Sequence, residues 1–504
     1  MFRADGRAAG VVAALLLALS SAPPTAAASG QTGGRIWYPS IAQSDLPDDS
    51  PGQPPTNGAA WRPPPVDMSL LPPDGPPAAP GPVRQQYQCL RSGTNGAVLT
   101  EVPPAQAMLN IRAAQQFSTG RNVTVAVIDT GVNKHRFLTD GGRLLGGGDY
   151  VAPSARNDGT VDCDGHGTIT AGIVAANTTG AGLGFTGVAP DATILAIRQS
   201  SQAYLTTGAN PMNAGTTASL AQAVVHAVDL GAKVITTSVD ECEPLPNPAD
   251  APQLNLGDRQ LQAAVHYAVL HDVVVINSAG NIGNCKNTPQ NADPDPNKVN
   301  QIEIPAVFAD DVLSVASVDP ASGDVSAFSV WGPWVSVAAP GEGIVSLDPA
   351  PGATGLANLY SEPGSTTPNA IQGTSFAAPY VAGLAALLRA KYPNLSAREI
   401  MYRIEATAQH PSGRDGRDNR VGYGVIDPVA ALTALIPGQN GMPGPTPTAV
   451  HATAPKAPEQ NPTALWVALL GSAGAAAALL VLWFVLRARK STVSTVEDRI
   501  SPRR

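Results

Sequence analysis

From about Val102 to Leu435 the chain alternates short runs of Val, Ile and Ala with longer helical runs. This alternation confines it to an α/β architecture built on a mostly parallel sheet with helices on both faces. The runs that read as strands are Val123–Asp129, Thr193–Arg198, Lys233–Val239, Val273–Ser278, Val312–Val318 and Val335–Ala338. Several are almost continuously apolar, as strands covered on both sides must be. Ala218–Leu230 and Asp258–Leu270 carry apolar residues at three- and four-residue spacing, and Thr374–Tyr392 and Ser396–Thr407 supply two further helices.

Prolines would interrupt such a pattern, and they crowd elsewhere, at 46–82 and 437–462. Residues 29–85 are rich in Pro, Gly and Ala without periodicity, so they cannot easily bury a core and read as extended or disordered. The expected layout is an N-terminal arm at 29–109, a folded domain at 110–436 and a Pro-rich linker at 437–462 that reaches at most about 80 Å. Residues 1–28 have the form of a secretory signal peptide: Arg3 and Arg7, an apolar Val11–Leu19, then small residues at Thr25–Ser29. Leu465–Leu486, within 463–487, has 22 residues and no charge. It would extend roughly 33 Å as a helix, enough for a bilayer core of about 30 Å. Trp466 and Trp483 sit near its ends, and Arg487, Arg489 and Lys490 follow it. Those cations assign the tail at 488–504 to the cytoplasm and everything before the span to the outside. The formal net charge of −8 argues against nucleic-acid binding. Four cysteines in an exported chain, Cys89, Cys163, Cys242 and Cys285, suggest two disulfides with three possible connectivities. Their spacing fits no zinc motif, and no metal site is expected.

Three short segments carry chemistry. Ile128-Asp129-Thr130-Gly131 puts a carboxylate at the end of a strand, before a glycine turn. Asp164-Gly165-His166-Gly167-Thr168 sets a histidine between glycines, ahead of the helix-like run Ile169–Ala176. Gly373-Thr374-Ser375-Phe376-Ala377-Ala378-Pro379 places a serine at the start of a long helix, where unpaired N–H groups favour a developing negative charge. Alone, each has an ordinary reading as a turn, a surface histidine or a helix cap. Together they supply a hydroxyl nucleophile, a base to take its proton and a carboxylate to orient that base.

The segments VAVIDTG, DGHGT and GTSFAAP, in the order Asp…His…Ser, resemble the active-site signatures of the subtilase family. Ser278-Ala279-Gly280-Asn281 is similar to the family's oxyanion-hole segment, and Gly187-Val188-Ala189-Pro190 to a further landmark. The resemblance implies a subtilisin-like three-layer fold and serine endopeptidase activity on protein or peptide substrates, without a metal or organic cofactor. It implies that Asp129, His166 and Ser375 form the triad and that Asn281 donates to the oxyanion. It also implies that Ser238, Val239 and Asp240 line one wall of the substrate groove and Ser278, Ala279 and Gly280 the other. Asp240 stands where the family usually has glycine, and Glu241 follows it. Facing the groove, these acids would favour basic substrates; the expectation is a solvated loop.

The wider layout resembles the mycosins, membrane-anchored subtilases of type VII secretion systems. That resemblance implies the pairings Cys89–Cys163 and Cys242–Cys285, location in the cell membrane with the catalytic domain on the extracytoplasmic side, and the secretion membrane complex as a partner. It further implies processing of exported proteins together with a structural role in the complex, the alternative being a mainly structural cap with little proteolysis. Residues 29–110 lack the alternating strands and helices of a compact inhibitory pro-domain, so an arm that wraps the domain is expected.

Overall fold

The computed structural model describes residues 61–439, excepting 80, 95–99, 153–157, 208–210, 246–251, 286, 292–297 and 413–415, together with 470 and 472–487. Seven strands form the main sheet: β1 (Thr124–Asp129), β2 (Leu144–Asp149), β3 (Thr193–Arg198), β4 (Val234–Thr237), β5 (Val274–Ser278), β6 (Leu313–Val318) and β7 (Val335–Pro340). Their order is β7-β6-β5-β4-β1-β3-β2, and every neighbouring pair runs parallel. The apolar runs account for six of them. β2 is an addition, because Leu144-Leu145-Gly146-Gly147-Gly148-Asp149 reads as a turn in a period-two pattern. Close packing demands those glycines: a Cβ on Gly147 would come within 2.7 Å of the Ile197 side chain. β4 is shorter than the run Lys233–Val239, since the chain leaves the ladder before Ser238.

Five helices matter for the site: α1 (His166–Ala175), α2 (Thr217–Asp229), α3 (Leu256–Leu270), α4 (Thr374–Lys391) and α5 (Ala397–Ala406). Thr216 with Ser219, Asn255 with Asp258 and Ser396 with Glu399 form reciprocal capping boxes at the starts of α2, α3 and α5. α2 packs on α3 and α1 on α4, and both pairs rest on the sheet. α4 is buried all round from Thr374 to Arg389, which is why its sequence shows no polar stripe. Each buried Val, Leu or Ile in this assembly is worth about 1.5–3 kcal/mol of transfer free energy.

The described part of the arm lies on the domain. Trp61 is 5% exposed, with its ring 5.5 Å from that of Trp334. Gln262 Nε2 donates to the Pro64 carbonyl. Val83–Gln85 pairs antiparallel with Ser201–Thr206, and Arg91–Gly93 with Leu359–Ser361. The expectation that residues 29–85 bury no core therefore fails at Trp61. One large ring and borrowed ladder hydrogen bonds do what a periodic apolar pattern would otherwise do. Disulfides join Cys89 to Cys163 and Cys242 to Cys285.

Residues 446–504 form a separate unit, in which 472–487 are helical and exposed. Among the described residues no helix is long and apolar enough to cross a membrane. Most of the linker at 437–462, the N-terminal part of 463–487, and all of 1–28 and of the tail at 488–504 lie outside the described residues.

Candidate active site

The order of strands reverses direction around β1, and in open α/β sheets the crevice beyond the carboxyl ends of the strands at such a point is where ligands bind. β1 ends there on Asp129, whose side chain is 3% exposed. His166, the first residue of α1, donates from Nδ1 to Asp129 Oδ1 at 2.8 Å and lies 3.0 Å from Oδ2. Thr130 N–H donates to the same Oδ1 at 2.7 Å. A Cβ on Gly167 would come within 2.1 Å of the Gly131 carbonyl and 3.1 Å of Asp129 Cβ, so only glycine lets α1 approach β1 this closely. Burial pulls the His166 pKa down, but the Asp129 charge and hydrogen bond, helped by Asp162 and Asp240, hold it above its ordinary 6.5. The imidazole side chain keeps 21% exposure, so one face is open to a substrate.

Two further carboxylates brace the histidine turn, and neither was singled out from the sequence. Asp162, fully buried, accepts from Thr130 Oγ1, Gly165 N–H, Thr168 N–H and Thr168 Oγ1 at 2.6–2.9 Å. Burial, with the charge of Asp164, lifts its pKa to about 7 despite those donors. Asp164 accepts from Ser201 Oγ and from the N–H groups of Gln202 and Ala203. Cys163 between them is tied to Cys89. The segment before His166 is therefore held on both sides and through its middle.

Ser375 is the second residue of α4 and 8% exposed. The N-cap of α4 is Gly373, with no side-chain cap bond, so Ser375 is not serving as a helix cap. The His166 ring lies 4.8 Å, centroid to centroid, from that of Phe376, the residue after Ser375. Asn281 Oδ1 accepts from Thr374 N–H and Thr374 Oγ1, each at 3.2 Å. With its carbonyl oxygen thus engaged, the amide N–H₂ is the end left to donate beside Ser375. Pro379 has no N–H to bond the carbonyl four residues back, which is that of Ser375. Ser238 Oγ donates to that carbonyl at 3.2 Å. Ser238, expected as a groove-wall residue, thus also bonds the start of the serine helix.

The proposed walls adjoin the same edge. Ser278 closes β5, while Ser238, Val239 and Asp240 follow β4. Val239 N–H donates to Thr237 Oγ1, Ala279 N–H to the Val315 carbonyl, and Val330 N–H to that of Gly280. The expectation of a solvated acidic loop fails for Asp240. Its carboxylate is half-buried and accepts from Ser278 Oγ at 2.7 Å and Asn277 Nδ2 at 3.3 Å. Burial raises its pKa to about 7. Glu241 stays exposed at the start of Glu241–Pro244, which pairs antiparallel with Gln301–Ile304. Among the described residues no three His, Cys, Asp or Glu side chains come together to hold a metal ion.

Known proteins agree with this geometry. The profile of the "Subtilase family" matches residues 120–424. Mycosin-4 of Mycobacterium tuberculosis is 39% identical over 449 residues, covering 88% of this chain and 93% of the relative. The structure of the MycP3 protease from the type VII (ESX-3) secretion system superposes with a TM-score of 0.65 at 38% identity, covering 74% of this chain and 100% of that one. A chain in the periplasmic assembly of the ESX-5 inner membrane complex gives 0.67 at 38% identity, over 79% and 99% of the two chains. In fold, in sequence and over most of its length, this chain belongs to the mycosins, subtilisin-like serine proteases of the subtilase family.

Proposed function

We propose that the chain is a membrane-anchored endopeptidase that processes exported proteins of a type VII secretion system and is also a subunit of its membrane complex. The observation that carries the catalytic reading is the two-oxygen contact between Asp129 and His166 at the start of α1, with the serine helix beside it. In this reading His166 Nε2 takes the proton of Ser375 Oγ as that oxygen attacks the scissile carbonyl. Asp129 fixes the tautomer and stabilises the imidazolium. The Asn281 amide and the Ser375 N–H bind the oxyanion. His166 then protonates the leaving amine, and water hydrolyses the acyl-enzyme by the same steps reversed.

The anchor rests on the uncharged stretch in 463–487 and on the cations after it, with 1–28 as the export signal and 488–504 on the cytoplasmic side. The arm, 29–109, wraps the peptidase domain, 110–436, and stays attached through Cys89–Cys163, while 437–462 is the tether. Support for the second role comes from the similar chain in the ESX-5 periplasmic assembly. Labelling of the full-length protein with a fluorophosphonate, beside Ser375→Ala, tests the first role: labelling that disappears in the variant supports it, and none in a folded protein overturns it. Secretion that proceeds in cells carrying Ser375→Ala but stops when the chain is deleted would assign the second role separately from the first.

A further inference from the structure

Behind the Ser278–Gly280 segment lies a second acid that neither the triad nor the oxyanion site uses. Glu303 stands on the strand Gln301–Ile304, opposite Cys242 in the ladder with Glu241–Pro244. It is 0% exposed, and neither carboxyl oxygen has a hydrogen-bond partner among the described residues. A Cβ built on Gly280 would come within 2.5 Å of Glu303 Cδ and 2.9 Å of Oε1, so the carboxyl lies directly against the residue before Asn281. Asp240 is on the other flank, bonded to Ser278 Oγ, close enough for its charge to act on both Glu303 and His166. Ser238, two residues before Asp240, bonds the carbonyl of Ser375.

A buried carboxyl with no donor costs several kcal/mol if ionised, so it holds its proton or meets a cation. Burial first, and then the charge of Asp240, pushes the Glu303 pKa to about 9. Burial and the neighbouring carboxyl of Asp240 both favour the protonated form of Glu303, and a positive group placed against it would favour the carboxylate.

We propose that Glu303, with Asp240, determines the primary specificity of this protease by forming an acidic end to the pocket beside Ser375, so that chains are cut after lysine or arginine. This rests on the catalytic reading above for the position of the scissile bond, but the pocket itself is tested by binding alone. In the filled pocket the ammonium or guanidinium of the substrate lies against Glu303, which releases its proton to solvent and becomes the carboxylate partner.

The experiment measures binding to the full-length Ser375→Ala protein of two matched peptides, each ending in the residue before the cut: lysine, or norleucine as the neutral analogue of similar length. The lysine peptide is expected to bind about tenfold to a hundredfold tighter, the ratio carried by a charged hydrogen bond. Glu303→Gln should remove most of that ratio, and Asp240→Asn part of it. Equal binding, or tighter binding of norleucine, overturns the proposal without reference to any variant. A lysine preference that survives in both variants overturns it as well, since another group would then supply the charge. Fluorophosphonate labelling of the native chain separates this outcome from failure of the catalytic reading, because that probe carries no such side chain.

Discussion

Asn281 has two jobs that two substitutions can separate. Its Oδ1 accepts from the N–H and the hydroxyl of Thr374, which is fully buried, and its N–H₂ is the proposed oxyanion donor. Asn281→Ala removes both functions. Loss of one oxyanion donor costs about 10²–10³ in rate in a subtilisin, or about 2.7–4 kcal/mol of barrier. Loss of the acceptor leaves two buried donors at the start of α4, at about 1–3 kcal/mol each before relaxation or water entry. Asn281→Asp keeps an acceptor toward Thr374 but replaces the donor with an anion. The assay is the second-order rate of fluorophosphonate labelling, which builds a tetrahedral centre with an oxygen in the same position, beside a thermal melt of each variant. Both substitutions should slow labelling by at least about a hundredfold. Only Asn281→Ala should also lower Tm, by several degrees. Native-rate labelling of Asn281→Asp would refute the donor role. Equal melting of the two variants would refute the account of Thr374.

Further outcomes follow from the same geometry. Catalysis needs neutral His166, so labelling should rise with pH through a midpoint above 6.5. Asp129→Asn should slow labelling by about 10⁴ and move that midpoint down, because the largest opposition to burial is removed and only the charges of Asp162 and Asp240 remain. For stability the sign is the reverse: the raised pKa contributes most at pH below the unfolded value, and the contribution is lost as pH climbs through the folded one, so Asp129→Asn should destabilise more at pH 5 than at pH 8 when urea midpoints are compared. The Cys89–Cys163 bond spans 74 residues, so Cys89→Ser should lower unfolding free energy by about 4 kcal/mol in denaturant titrations. A chain cut once between those cysteines should run as a single band until it is reduced. Trp61→Ala should cost about 3–5 kcal/mol by the same titration, since its ring fills the core beside Trp334.

The sheet was legible because its strands are buried on both faces, which leaves runs of Val, Ile and Ala that need no partner to be recognised. Asp129, His166, Ser375 and Asn281 were legible because glycines hold each in a tight backbone and leave a short, fixed text around it. What stayed hidden depends on contacts distant in sequence. Gly147 of β2 is a glycine where Leu195 and Ile197 press against it, a fact recorded at positions about fifty residues away. Asp162 looks like any loop aspartate until four donors from three separate points converge on it. Asp240 reads as solvated because exposure is the ordinary state of aspartate. Only the arrival of Ser278 and Asn277 makes it otherwise. Glu303, inside the strand text QIEI, offers no sign that its side chain points inward.

The acids around His166 bear on what kind of protease this is. Asp129, Asp162 and Asp240 all act on His166, and each raises its pKa. A higher pKa makes the imidazole a stronger base, but leaves a smaller fraction of it neutral at a given pH. That exchange is common to Asp-His-Ser proteases, but a carboxyl desolvated beside the groove costs stability whenever no cation meets it, and an enzyme built for bulk degradation gains nothing from that cost. The arrangement suits an enzyme whose site is completed by its substrate. A correct side chain would discharge the stored acid next to the oxyanion segment, while an incorrect one would leave it buried and unpaired. Discrimination of this sort comes from the penalty on the wrong partner, and unpaired buried polar groups discriminate more sharply than apolar fit. Selective cutting of a few exported chains is therefore easier to reconcile with this site than broad digestion.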